Sequence, residues 1–392
     1  MTTVNPILTD RLFLDSGAEA AWCDGGSSHA LIPMKDGDYT VGLDKPSRDQ
    51  QHVVGDANAT YNVTTRRDLK GGLKVGLFPH IWETLFAYAM DRDSNNEVGS
   101  RTFRRTFPGL QTVEHLGVKV NSLTVEGSKD NDVDMTLDLV GCWEQPRGGG
   151  VLSYPGSYVI PNYPSLVFAN TRVIACLASS LAAAGTRIAP ANVESYSITL
   201  QNNLKMGPPV EDRFTKNKDK RISYLQTGRQ NLSAKMVASF DRTEYLTLDQ
   251  DDLYFWFKII GAHPSYSTYA EVTADAAAGS AVSVAVDDSS IFAVGDPVYF
   301  DAFGGTTLPC VGVISAIADS THITITTLDE AVKDGDHVFA AGFELKTAVM
   351  RSPSMPKSTP YGDFVTVELN GDAFSGGANL LSRKTKNLTV PS

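Results

Sequence analysis

The sequence lacks the short motifs that identify common enzyme and metal sites. HExxH, GxSxG and the Walker-type GxxxxGK do not occur, and the seven histidines do not cluster. The closest approach to a calcium loop is Asp130, Asp132 and Asp134, but Met135 and Gly141 stand where an EF-hand needs glycine and glutamate. We therefore expect no catalytic residue, no metal and no cofactor.

Cysteine is also scarce. The four cysteines, Cys23, Cys142, Cys176 and Cys310, show neither CxxC nor Cys/His spacing. That pattern argues against a zinc site and against a disulfide scaffold, and it predicts buried free thiols.

Long apolar runs are missing as well. The longest, residues 173–184, is interrupted by Ser179 and Ser180 and is too short to cross a bilayer. The first residues have no basic start followed by an apolar core, as a signal peptide would. We expect a soluble protein without a membrane partner, made and assembled in the cytoplasm.

The net charge of −11 is concentrated in one segment. Residues 271–343 contain eleven acidic residues and a single basic one, Lys333, so they carry −10 and the rest of the chain about −1. Five short alternating segments occur in the same stretch. We call residues 271–343 the acidic insert, and we predict an inserted β-barrel or Ig-like domain.

What is present elsewhere is strand alternation. Residues 117–141 read as a hairpin in which Val133, Met135, Leu137 and Leu139 alternate with polar residues, the pattern of a sheet with two different faces. Similar segments occupy residues 195–200, 232–240 and 364–369, and helical spacing covers residues 79–90. The prediction is a mainly β fold, an antiparallel sandwich or barrel with one flanking α-helix, formed by residues 1–270 and 344–392. Residues 1–55 are read as a loop-rich arm.

Two further segments have open interpretations. Arg101, Arg104 and Arg105 alternate with phenylalanines and resemble a nucleic-acid patch, but the near-neutral surroundings favour a charge-paired strand or a partner interface. Residues 253–260 are apolar on every face, which predicts burial either in the core or between subunits.

Taken in order, four stretches resemble the tail tube proteins of long-tailed phages. They are TYNVTTRRDLKGGLKVGLFPHIWETLFAYAM from Thr60, GVKVNSLTVEG with VDMTLDLVG, VESYSITLQNNL from Val193, and YLQTGRQNLSAKMVASFDRTEYLTL from Tyr224. With residues 364–369, the resemblance covers about residues 55–270 and 344–392. The acidic insert lies outside it.

This resemblance implies a structural, non-enzymatic component of the virion tail. Members of the family form β-sandwiches with a flanking helix, and six copies join into rings that stack into a tube. The implied partners are further copies of the chain, the tape measure and terminator proteins of the tail, and DNA that passes through without sequence-specific contact.

The expected role suggests which residues meet DNA and which meet other subunits. A conduit that does not retain DNA needs hydroxyls and carboxylates rather than free cations, because each phosphate contact by Lys or Arg adds affinity. The hypothetical lumen-facing residues are Asp134, Thr136, Asp138, Ser195, Ser197 and Thr199. The hypothetical contacts between subunits or rings are Lys45, Arg48, Arg213, Lys216, Lys218, Trp256 and Phe257.

Lys119 and Lys235 depart from the lumen pattern, and we expect them to be salt-paired or to face elsewhere. The acidic insert is expected to project outward, which favours a non-contractile tail. Two alternatives stay open: another head or tail subunit, such as a terminator or decoration protein, and a glycan-binding tail protein.

Overall fold

Antiparallel strands make up most of the chain, and one α-helix occurs in its described part, so the predicted fold class is confirmed. The computed structural model describes residues 11–15, 19, 29–32, 38–44, 47–51, 60–64, 68–78, 81–106, 112–146, 165–178, 186–188, 192–207, 224–241, 253–262, 269–301, 310–340, 342–352, 357–361, 364–374 and 380–384. The helix is α1 (Trp82–Met90).

The strands are as follows. In the first part of the chain they are β1 (Arg11–Asp15), β2 (His29–Ile32), β3 (Gly42–Asp44), β4 (Ser47–Gln51), β5 (Thr60–Thr64), β6 (Asp68–Gly76), β7 (Arg101–Thr106), β8 (Thr112–Ser128), β9 (Asp134–Gly141) and β10 (Trp143–Pro146). In the middle they are β11 (Thr171–Ala178), β12 (Thr186–Ile188), β13 (Asn192–Gln201), β14 (Lys205–Met206), β15 (Leu225–Gln226), β16 (Asn231–Asp241) and β17 (Tyr254–Ala262). The rest are β18 (Tyr269–Glu271), β19 (Gly279–Ala285), β20 (Pro297–Asp301), β21 (Cys310–Asp319), β22 (His322–Leu328), β23 (His337–Ala340), β24 (Gly342–Thr347), β25 (Met350–Arg351), β26 (Lys357–Tyr361), β27 (Phe364–Phe374) and β28 (Leu381–Lys384).

The first layer of the sandwich consists of β6, β9, β8, β13, β16 and β27, paired in that order. The predicted hairpin forms its β8–β9 pair, and each strand alternates as the sequence indicates. In β9, for example, Met135, Leu137 and Leu139 are fully buried, whereas Asp134 and Thr136 are partly exposed. One face of this layer therefore lies on the core and the other does not.

The second layer consists of β12, β11, β17, β24 and β28. Phe255, Phe257, Ile259, Phe343 and Leu345 point from it into the same core cluster as the apolar side chains of the first layer. The short strand β25 pairs with both β17 and β27 and so connects the two layers.

The helix closes one side of this core. Trp82, Leu85, Phe86 and Ala89 are buried at helical spacing, as predicted, and the Trp82 ring meets the Phe343 ring edge to face at 5.3 Å. The helix begins at Trp82; Pro79, where we predicted its first turn, lies outside the described residues.

A further sheet joins β2, β1, β7, the first half of β8, and β10. Its strand β7 contains the arginine-rich segment. Arg104 is buried and pairs with Glu114 at 2.7 Å, while Arg105 and Arg101 lie over the rings of Tyr39 and Tyr88. The interpretation as a charge-paired strand is thus confirmed for Arg104.

The acidic insert contains a separate six-stranded sheet in the order β18, β23, β20, β21, β22, β19. Gly342 and Phe343, at the end of the segment 271–343, belong instead to β24 of the second layer, so we count them with the sandwich from here on. We predicted five strands; the sixth, β18, begins at Tyr269, just before the acidic segment. The sheet has its own core cluster, which includes Val284, Val298, Ile323, Ile325 and Val338. Its apolar residues therefore pack mainly against one another.

One cysteine prediction is wrong. Cys142 forms a disulfide, whereas Cys176 and Cys310 are buried free thiols as expected. The fold brings together cysteines that are far apart in the sequence. The spacing of the cysteines therefore could not predict this disulfide.

Candidate functional site

The outward side of the first layer is a continuous polar surface. Strand register aligns Lys74, Thr136, Thr124, Thr199, Ser233 and Asp372 into one row across six strands. Parallel rows contain Asp134, Glu126, Ser197, Lys235 and Asn370; Asp138, Ser122, Gln201 and Asn231; and Ser128, Ser195, Val237 and Glu368. We call these residues the polar face. All of them are partly or fully exposed.

Carboxylates outnumber cations on the polar face. Its acidic residues are Glu126, Asp134, Asp138, Glu368 and Asp372, and its two basic residues are Lys74 and Lys235. At neutral pH the surface is net negative, which opposes the binding of a polyanion.

Both lysines of the polar face are held by carboxylates on neighbouring strands. Lys74 Nζ lies 2.7 Å from Asp134 Oδ2 and 3.7 Å from Glu126 Oε1, and the hydrogen bond with Asp134 raises the pKa of Lys74. Lys235 Nζ lies 2.9 Å from Glu368 Oε2. Neither ammonium group is presented to solvent without a counter-charge.

Neutral hydrogen bonds connect other side chains of the polar face to their neighbours. The hydroxyls of Thr124 and Thr199 are 3.1 Å apart across the β8–β13 pair, and Asn121 donates to Asp138 at 2.7 Å. Polar atoms that bond one another in this way are held in place by the sheet.

Two of the depressions in the described part of the chain lie on the polar face. The larger, about 710 Å³, lies among Lys74, Glu126, Asp134, Ser197 and Lys235. The smaller, about 190 Å³, lies beside it between Thr199 and Asp372. Both are open and lined mainly by polar groups, unlike the enclosed apolar pockets that hold small molecules.

The six residues that we predicted to face a lumen all lie on this one surface. Thr136 and Thr199 belong to the same row, separated by Thr124. Sequence reasoning missed the contributions of β6, β16 and β27, including Lys74, Ser233 and Asp372. The period-two pattern of β16 and β27 was visible, but only the register shows that their polar positions continue these rows.

Both lysines that departed from the lumen pattern are salt-paired, as expected. Lys235 pairs with Glu368 on the polar face. Lys119 instead turns into a partly buried polar cluster, where its ammonium group contacts Glu97 Oε2 at 3.0 Å and donates to the Leu225 carbonyl at 3.0 Å.

That cluster lies beside the strand pair β14–β15. Glu97 also accepts from the Thr227 amide at 2.9 Å and hydroxyl at 2.7 Å. Burial raises the pKa of Glu97, but the bonds from Thr227 and Lys119 outweigh it and lower the pKa below its ordinary value. The pair β14–β15 beside it flanks residues 208–223, so the ends of this segment are held close together.

Of the predicted contact residues, Trp256 and Phe257 can be placed. Phe257 is completely buried in the sandwich core. Trp256 points to the opposite side of β17, is 6% exposed, and packs against Tyr299 and Val311 of the acidic insert. Both side chains are therefore buried by contacts within one chain.

The other predicted contact residues are not placed in this way. Lys45, Arg213, Lys216 and Lys218 lie outside the described residues. Arg48 belongs to β4, whose backbone pairs with β5 in a separate two-stranded sheet. The assignment of these residues to subunit contacts stays a prediction.

The described part of the chain contains no group of three or more His, Cys, Asp or Glu residues placed to hold a metal ion. Asp130, in the acidic triplet, lies at the hairpin tip with φ of 69°, a turn conformation that aspartate tolerates. Among the described helices, none has the length and apolar character needed to span a membrane.

Comparison with known families gives a match. The family model described as phage tail tube protein matches residues 10–253, more than half of the chain. The match contains β6, β9, β8, β13 and β16, and therefore most of the polar face. The acidic insert and the strands after it lie beyond the matched residues. The comparison with curated proteins found no match.

Proposed function

Because the chain belongs to the phage tail tube protein family, a family of structural tail components rather than enzymes, we propose that six copies form a ring and that rings stack into a DNA conduit. The ring number comes from the family resemblance. The polar face is the observation that supports the conduit, and we assign it to the lumen.

The chemistry of the polar face suits DNA that must move without being held. Affinity for DNA comes largely from phosphate contacts by Lys and Arg, which release counterions. The two lysines here are already paired with Asp134 and Glu368, and apart from Val237 the remaining groups are hydroxyls, amides and carboxylates. Such a surface repels phosphates at long range and offers few sites of adhesion.

The layer order supports an outward position for the acidic insert. The polar face and the insert lie on opposite sides of the sandwich, because the insert packs on the outer side of the second layer through Trp256 and Ile260. If the polar face lines the lumen, the insert is on the outside of the tube. An outer surface occupied in this way leaves no room for a contractile sheath, so we propose a non-contractile tail.

Electron cryomicroscopy of the purified, assembled protein tests the assignment directly. We expect stacked six-fold rings with the rows through Thr136 and Thr199 facing the channel. A tube whose polar face lies on its outer surface would disprove the lumen assignment. Assembly that stops at single rings would instead favour a terminator.

A charge-addition experiment tests the mechanism. Thr199→Lys adds an ammonium group in the middle of the polar face, and Thr327→Lys, on the exposed surface of the insert, is the matched control. Phage carrying Thr199→Lys should eject DNA more slowly than phage carrying Thr327→Lys, and added salt should reduce the difference, because salt weakens contacts between ammonium groups and phosphates. Equal ejection rates for the two variants would contradict the proposal.

A further inference from the structure

The acidic insert meets the sandwich through a buried apolar cluster. Ile174, Cys176, Trp256 and Ile260 of the second layer pack against Tyr299 and Val311 of the insert. Val311 and Ile260 are fully buried, and the other four are at most 6% exposed. A central desolvated cluster of this kind is the energetic centre of a stable interface.

The two surfaces come into close contact at Gly342, the first residue of β24. A Cβ atom placed there would lie 2.9 Å from Tyr299 Cβ and 3.3 Å from a Val311 methyl carbon. Any side chain at this position would therefore push the insert away from the sandwich. The absence of a side chain permits contact between backbone and insert, as at the crossing points of closely packed elements.

Charged groups flank the apolar cluster on both sides. Arg172 Nη2 lies 3.5 Å from Asp301 Oδ2 at one end, and Lys384 pairs with Asp329 at the other. Lys346 Nζ lies 4.5 Å from the centre of the Trp256 ring. Exposed pairs add little stability, but two pairs at opposite ends favour a single alignment of the surfaces.

A buried ion pair lies on the covered side of the second layer. Lys258 and Glu344 are 2% and 3% exposed, and Lys258 Nζ is 3.3 Å from Glu344 Oε2. Without the insert, this side of the layer would present the pair together with Trp256 and Ile260. The contact thus covers groups that the sandwich itself does not enclose.

The connections restrict the insert further. Its last strand, β23, ends at Ala340 and β24 begins at Gly342, so one residue separates insert from sandwich at this end. Six residues connect β17 with β18 at the other. A single intervening residue has two soft backbone torsions and allows little independent rotation.

From these features we infer that the acidic insert is an integral part of the subunit, docked in one fixed orientation on the outer side of the second layer. It acts as the cover of that layer rather than as a module on a flexible tether. The inference concerns one chain and does not depend on ring formation or on a DNA-facing role, so it can fail while the proposed function holds.

Distance measurement between two spin labels tests this inference. Lys129→Cys and Thr327→Cys place labels at exposed positions of the sandwich and the insert, in full-length protein diluted with unlabelled protein. Cys176 and Cys310 are buried, and burial raises the pKa of the Cys310 thiol to about 12, so these thiols should not compete for label. We expect one narrow distance distribution; a broad distribution would overturn the inference.

A charge in the interface should release the insert. Val311→Asp puts a carboxylate into the apolar cluster without touching the insert's own core cluster and should broaden the distribution. Val294→Asp, at a valine that is 59% exposed on the same insert, should leave it narrow. An unchanged narrow distribution in Val311→Asp would contradict fixed docking through this cluster.

Hydrogen exchange at Ile323 and Ile325 shows whether the insert of Val311→Asp still folds. If it does not, a second variant tests the docking of the insert. Gly342→Val adds a side chain that would collide with Tyr299 and Val311 of the insert, so it should shift or broaden the distance distribution. Gly279→Val is its control, because a Cβ there meets only a Val282 methyl carbon at 3.4 Å. Identical distributions for the two glycine variants would refute the inference.

Discussion

The two layers of the sandwich share one core but have different outward sides. In β9 of the first layer, buried Leu137 and Leu139 alternate with Asp138, whose side is open to solvent. In β17 of the second layer, Phe257 faces the core and Trp256 faces the acidic insert, so the strand is apolar on both sides. The pattern of a strand thus reports what covers each of its faces, and a strand apolar all round indicates two covered faces.

The ion pairs on the outward sides of the two layers also differ in their exposure to water. On the polar face, Lys235 and Glu368 form a pair in which the side chains are 48% and 29% exposed. On the covered side, Lys258 and Glu344 form a pair that is almost fully enclosed. Water screens the first pair and not the second, so equivalent substitutions should have unequal consequences.

The largest expected difference comes from placing an amide on each outward side. Ile260→Asn removes a fully buried side chain and buries a polar group in the contact with the insert, which should lower the free energy of unfolding by about 4 kcal/mol. Val237→Asn, on the polar face, should cost less than about 1 kcal/mol because water reaches the amide. Urea unfolding of the unassembled protein, followed by circular dichroism, measures both. Similar losses would show that the two outward sides are equally covered.

The next difference concerns the two ion pairs. Glu344→Gln leaves Lys258 buried without its counter-charge and should cost about 3 kcal/mol. Glu368→Gln leaves Lys235 in contact with water and should cost less than about 1 kcal/mol. The same unfolding measurement, repeated at high salt, should show salt dependence in the exposed pair only. A small effect of Glu344→Gln would mean that water enters the interface with the insert.

The sequence predicts features of the fold that depend on neighbouring residues better than contacts between residues far apart in the chain. Alternation is local, so the β8–β9 hairpin, the helix that ends at Met90 and the strands of the first layer could be predicted. Segment 253–260 could be identified as buried on both sides, but its covering partner could not, since that depends on how β17 meets Val311 some fifty residues later.

The polar face shows the same limit. The polar positions of β9 and β13 were predictable from their period, but their alignment through Thr124 into one row depends on the register of β8. The pairing of Lys74 with Asp134 and the disulfide of Cys142 are likewise contacts between distant parts of the chain. Neither has a signature in local spacing.

The smallest expected effect concerns the stability of the acidic insert at low pH. Hydrogen bonds from His322 and Thr321 lower the pKa of Asp319, at a turn of the insert, from 3.8 to about 2. A carboxyl whose pKa is lower in the folded state stabilises it above the unfolded-state pKa, and this contribution is lost as the pH falls from about 4 to about 2.

Hydrogen exchange at Ile323 in the insert should therefore accelerate over that pH interval relative to exchange at Leu137 in the sandwich, after correction for intrinsic rates. Asp319→Asn should remove part of the difference, because an amide does not titrate. Asp334→Asn, at an exposed aspartate of the same insert, should leave it in place. If Asp319→Asn does not change the pH profile, the turn at Asp319 is not the source of the acid sensitivity of the insert.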